Sequence, residues 1–191
     1  MKYLIIIAFA LLASCGGADQ KPVAEVTKDA PLAQSKNSDK FNEKFAGFLT
    51  HYFNLKDAFV ASDDAMAISH ASLLAASADS LDMSEVKADT SIIDMAQQYV
   101  QSVSAEAKGL AGEKDLEAKR KSFQMISDNM YDLVRTVRFD KQVVYHQFCP
   151  MAFNDAGAYW LSASEEIKNP YFGKKMLSCG EVKDSIDFRG K

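Results

Sequence analysis

Two cysteines near the C-terminus each keep a methionine close by, in Cys149-Pro150-Met151 and Met176-Leu177-Ser178-Cys179. Thiolate and thioether form the soft donor set that suits Cu(I) or another thiophilic ion. His146, three residues before Cys149, adds an imidazole that copper also accepts. Pro150 stiffens the first turn, and Gly180 lets the backbone of the second come close. The same two thiols can instead close a disulfide around about 30 residues, worth roughly 3 to 4 kcal/mol. In that reading Met151 and Met176 fill gaps beneath aromatic rings. Residue types and spacing leave both readings standing.

The compartment bears on that choice. The chain opens on Met1-Lys2 and an apolar run from Tyr3 to Ala13, then Ser14-Cys15-Gly16. A basic start, a short apolar core and small residues before the cut site make residues 1–14 a secretory signal peptide. The run is too short for a membrane-spanning helix, which needs roughly 20 residues. Leu12-Ala13-Ser14-Cys15 resembles a bacterial lipobox, which implies cleavage before Cys15 and a lipid on its sulfur. The expected location is the bacterial cell envelope, periplasmic side or outer surface, with membrane contact through an anchor and not a span. An oxidising envelope favours disulfides. Loss of Lys2 makes the remaining chain slightly more acidic than the −4 of the whole, and no basic stripe points to nucleic acid.

Residues 15–38 read as a lipidated tether. They hold Gly16-Gly17, Pro22, Pro31 and mixed charges without apolar periodicity, too little apolar surface to offset ordering entropy. Fully extended, the tether reaches roughly 75 Å. The remaining length, about 150 residues, suits one domain.

Within it, residues 39–138 predict four helices. Phe41, Phe45, Phe48, Tyr52, Leu55 and Phe59 recur at spacings of three and four, behind Ser38 and Asp39 as caps. Ser62-Asp63-Asp64 breaks and recaps the chain before Met66, Leu73, Leu74 and Leu81. A third stripe runs Ile92, Ala96, Tyr99, Val103, Ala107, Leu110 and stops between Gly109 and Gly112. Leu116, Phe123, Met130 and Val137 then lie seven apart, with Ile126 and Leu133 between them. That heptad pattern and short connections predict a mainly α, up-and-down four-helix bundle. Met66, Met95 and Met130 fall on these stripes and are expected in the core. His51 and His70 are too far apart in sequence for a local metal pair.

Residues 139–191 change character. Val143 to Phe148 is β-prone, and Cys149-Pro150, Gly157, Asn169-Pro170, Gly173 and Gly180 punctuate the rest of the segment into turns. Tyr145, Phe148, Phe153, Tyr159, Trp160, Tyr171 and Phe172 need a surface to pack on. The expectation is an irregular aromatic-rich cap on an open face of the bundle, one domain with 39–138, with room for one short hairpin. No catalytic triad, phosphate loop or HExxH spacing occurs, and Cys149 with His146 lacks an orienting third group, so no enzyme is expected.

The stretches Tyr145–Phe153, Gly157–Ser162 and Ile167–Gly180, together with Tyr52–Val60, Asp63 and Ala67, resemble the domain of unknown function 3347 family over roughly Phe41 to Val182. That family occurs in Bacteroidetes-type lipoproteins and on copper/silver efflux adaptors. The resemblance implies copper or silver handling, with a metal efflux adaptor as partner, and donor chemistry makes Cys149, Met151, Met176, Cys179 and His146 the expected ligands for Cu(I) or Ag(I). The expected function is therefore an envelope lipoprotein that binds copper or silver in metal handling or efflux. The alternative is a non-catalytic, disulfide-stabilised module that docks onto an efflux or envelope partner. A third reading, a cysteine redox protein, requires a lowered thiol pKa.

Overall fold

The computed structural model describes residues 37–190. Cys15, the expected signal peptide and nearly all of the tether lie outside the described residues.

Helix α1 (Asp39–Ala61) starts where the Ser38 hydroxyl accepts the Phe41 N–H at 3.1 Å, an N-cap that satisfies one otherwise orphaned donor. Its whole aromatic stripe is buried, from Phe41 to Phe59. Each such ring taken out of water contributes roughly 1.5 to 3 kcal/mol. Ser62 turns left-handed at φ 57° and ends the helix, and Asp63 caps α2 (Asp64–Asp79) by accepting the Met66 N–H. Helix α3 covers Thr90–Leu110. Helix α4 covers Leu116–Val137, and Asp115 accepts the Ala118 N–H at its start. Consecutive helices pack on one another, and α1 meets α4 through rings, with Phe123 5.5 Å from Tyr52 and 5.0 Å from Phe59. Among the described residues, no helix is long and apolar enough to cross a membrane.

The bundle is as the stripes predict, with two corrections to its core. Helix α2 buries Ala67, Ala71, Leu74, Ala75 and Ala78, and leaves Met66 46 % and Leu73 45 % exposed. Alanines let α2 approach its neighbours closely, so the bulkier side chains are displaced from the seam. Met95 is 48 % exposed for the same kind of reason, since Ala96, Val100, Val103 and Ala107 form the core face of α3. Met130 is buried as expected.

After α4 the chain forms a three-stranded antiparallel sheet in place of a single hairpin. Strands β1 (Val144–Cys149), β2 (Ala158–Ser162) and β3 (Glu181–Ile186) lie in the order β2-β1-β3. Register to β2 is regular, from Tyr145 opposite Ser162 to Cys149 opposite Ala158, whereas the β1–β3 pairing is irregular between His146 and Gln147. The sheet packs on α4 mainly through β2. Tyr52 ties sheet to bundle: its hydroxyl accepts the Leu161 N–H at 2.9 Å and lies 2.7 Å from the Ser127 hydroxyl. Between β1 and β2, Phe153, Asn154 and Asp155 sit consecutively at φ 52°, 58° and 64°. Three non-glycine residues in the left-handed region cost about 1 to 2 kcal/mol each, so tertiary packing holds this turn.

Candidate functional site

Antiparallel pairing of β1 with β3 brings the two thiols together. Phe148 stands opposite Glu181, so the next residue along β1, Cys149, approaches the turn that carries Cys179 just before β3. The sulfurs lie 2.9 Å apart and are not bonded. Cys149 is fully buried and Cys179 half-buried. The Cys179 thiol is pushed up to about 11, first by its hydrogen bond with Cys149 and then by burial. That is the opposite direction from the lowered pKa of a reactive thiolate.

Asn169 holds the second turn in place. Buried, it donates from Nδ2 to the Cys179 carbonyl at 2.8 Å and accepts the Tyr171 N–H at 2.8 Å, while its own N–H donates to the Leu177 carbonyl at 2.9 Å. Gly180 permits the close approach expected of it. A Cβ there would stand 2.8 Å from the Phe148 carbonyl and 2.9 Å from the Trp160 ring, at φ 143°. Sequence reasoning missed Asn169 as a positioning residue; the Asn169-Pro170 step announced only a turn.

The other expected ligands are distributed differently. His146 is three residues from Cys149 along β1, which places it on the opposite face of the strand. There its ring is sandwiched between Tyr131 at 3.8 Å and Tyr159 at 4.5 Å. Burial pulls the His146 pKa down to about 4, with Arg135 adding to the fall and Asp184 opposing it. Met151 is 46 % exposed at the lip of a cleft. Met176 is half-buried in the turn before Cys179, where its carbonyl accepts the Cys179 N–H at 3.1 Å. Among the described residues, no three His, Cys, Asp or Glu side chains gather as a metal site.

Holding one ion between the two thiols requires the sulfurs to move apart from 2.9 Å. With metal–sulfur bonds near 2.3 Å, a 2.9 Å separation forces an angle of about 80° at the metal, against about 109° for a tetrahedral site. The sulfurs must open to about 3.8 Å to relieve it.

Residues 48–142 match a family model described as protein of unknown function, DUF3347. The chain resembles that family. In this DUF3347-like chain the matched span runs from within α1 to the approach to β1 and stops short of the C-terminal motif, a narrower reach than the expected Phe41 to Val182. Cys149, Met151, Met176, Cys179 and His146 all lie beyond it. No curated protein and no solved structure matches the chain.

Proposed function

We propose that the chain is a lipid-anchored, non-catalytic module of the bacterial envelope. In this reading its C-terminal sheet is stapled by a Cys149–Cys179 disulfide, and it docks onto an envelope or efflux partner. The 2.9 Å approach of the two sulfurs carries the reading, because a disulfide needs only a further contraction to about 2.05 Å. Closing it removes two protons and two electrons, taken up by a disulfide-bearing oxidant of the envelope that ends as a dithiol. The sheet face opposite the thiols supports docking. Tyr131, His146, Tyr159 and Phe148 form a half-buried ladder of rings, with Arg135 5.0 Å from the Tyr131 centroid and Lys183 5.5 Å from that of Phe148. Aromatic and arginine side chains are enriched at protein interfaces.

A second reading keeps Cu(I) or Ag(I) on the same thiols. The partial exposure of Cys179 favours it, since a turn at the surface can open the sulfurs to metal-binding distance. Intact mass and thiol titration of the lipid-free protein, purified without reductant, separate the two. Loss of two hydrogens and of both titratable thiols supports the staple. Two free thiols, with one Cu(I) held against a competing chelator and lost in Cys149→Ser/Cys179→Ser, support the metal and overturn the staple.

A further inference from the structure

A cleft of about 760 Å³ opens at the turn that follows β1, within the size range of small-molecule sites. Four segments distant in sequence wall it: the end of α1, the first turn of α4, the left-handed turn after Cys149 and the 3-10 turn at Gly173–Lys175. Phe153, Tyr171 and Phe172 supply its aromatic surface, with the Phe153 and Tyr171 rings edge to face at 5.3 Å.

Arg120 gives the cleft its chemistry. Its Nε donates to the Pro170 carbonyl at 2.8 Å, and Nη2 donates to the Phe59 carbonyl at 3.1 Å and to the Ser62 hydroxyl at 3.0 Å. All three acceptors are neutral. Among the described residues no carboxylate forms an ion pair with Arg120, and Nη1 has no hydrogen-bond partner. Half-burial costs this cation solvation that an incoming anion offsets; burial lowers the Arg120 pKa, and the nearby Glu117 carboxylate, which makes no ion pair with it, only partly opposes the fall. Lys174 and Lys175 line the same cleft, also without ion pairs among the described residues. Glu117 and Asp155 are the carboxylates on its rim, so three cations face two acids.

We propose that this cleft binds a small organic anion with a flat apolar body, its acid group on Arg120 and the two lysines and its body against Phe153, Tyr171 and Phe172. The proposal requires neither the oxidised nor the reduced state of the cysteine pair.

The test is titration of the intact folded protein with 2-naphthoate and with its neutral counterpart 2-naphthalenemethanol, read by calorimetry and by amide chemical-shift mapping. Naphthoate is expected to saturate one site, with shifts centred on residues 151–155 and 171–175, and to bind more tightly than the alcohol. Arg120→Ala removes three structural hydrogen bonds and is a poor probe. Lys174→Ala/Lys175→Ala alters only exposed side chains. It should weaken naphthoate roughly fivefold to tenfold and leave the alcohol unchanged, with an unaltered melting temperature. Equal binding of acid and alcohol, shifts centred elsewhere, no saturation by about 10 mM, or an unweakened double variant each overturn the proposal.

Discussion

Oxidising the Cys149–Cys179 pair is expected to raise the melting temperature of the folded domain by about 6 to 16 °C. The two residues are 30 apart in sequence, and the chain-entropy relation for a loop of that length gives about 3 to 4 kcal/mol of stabilisation. For a domain of about 150 residues each kcal/mol moves the midpoint by about 2 to 4 °C. The native cost of closing the bond is small, because the β1–β3 register and the Asn169 bridge already hold the sulfurs together. The gain therefore arises mainly in the unfolded chain. Scanning calorimetry with and without dithiothreitol measures it. Cys179→Ser is the control, since it deletes the bond at the half-buried partner without placing a hydroxyl in the buried Cys149 site. It should melt where the reduced wild type melts and ignore the reductant. If oxidised and reduced wild type melt within about 2 °C of each other, the pair is not a staple and the entropic argument fails.

Tyr52→Phe leaves the buried Leu161 N–H without its acceptor and removes the hydrogen bond to the Ser127 hydroxyl, which keeps only its bond to the Phe123 carbonyl, so urea unfolding should show a loss of about 1 to 3 kcal/mol with an unchanged fold by circular dichroism. Asn169→Ala should loosen the turn that carries Cys179, seen as slower disulfide closure in a defined glutathione buffer, while the helical signal is kept. His146, with its pKa pulled to about 4 against 6.5 in an unfolded chain, binds fewer protons folded than unfolded between those values. Stability should then fall as pH drops from about 6.5 to 4 and level off below; His146→Phe should flatten that interval, and an imidazole titrating near 6.5 by NMR would refute the burial argument.

The bundle was legible in the sequence because its signal is local. The stripe from Phe41 to Phe59 and the heptads from Leu116 to Val137 need only 3.6-residue periodicity, and caps such as Ser38 and Asp63 fix the ends within a residue or two. Helix α2 misled for a physical reason: a seam of alanines carries little hydrophobic signal, so Met66 and Leu73 outweighed Ala67, Ala71 and Ala75 on paper and lost to them in packing. Strand β3 was invisible as Glu-Val-Lys-Asp-Ser-Ile, an edge strand that buries only Ile186 and reads as a polar loop. Its loss mattered most. The pairing of β3 with β1 is what joins Cys149 to Cys179, and strand alternation is what sends His146 to the far side. A sequence proximity of three residues suggested a shared site where a two-residue period forbids one.

That alternation also divides the labour of the C-terminal segment. One face of β1 carries Cys149 toward Trp160 and Tyr171, beside the cleft walled by residues 151–155 and 171–175. The other carries His146 and Phe148 into the ring ladder with Tyr131 and Tyr159. Both cleft-walling loops end at a cysteine, one leaving β1 just after Cys149 and the other reaching β3 just after Cys179. A bond between the two sulfurs therefore ties the roots of both loops and narrows the range of widths the cleft can adopt. The left-handed turn at Phe153–Asp155 benefits in the same way, since its unfavourable backbone conformation persists only while the surrounding structure fixes both of its ends.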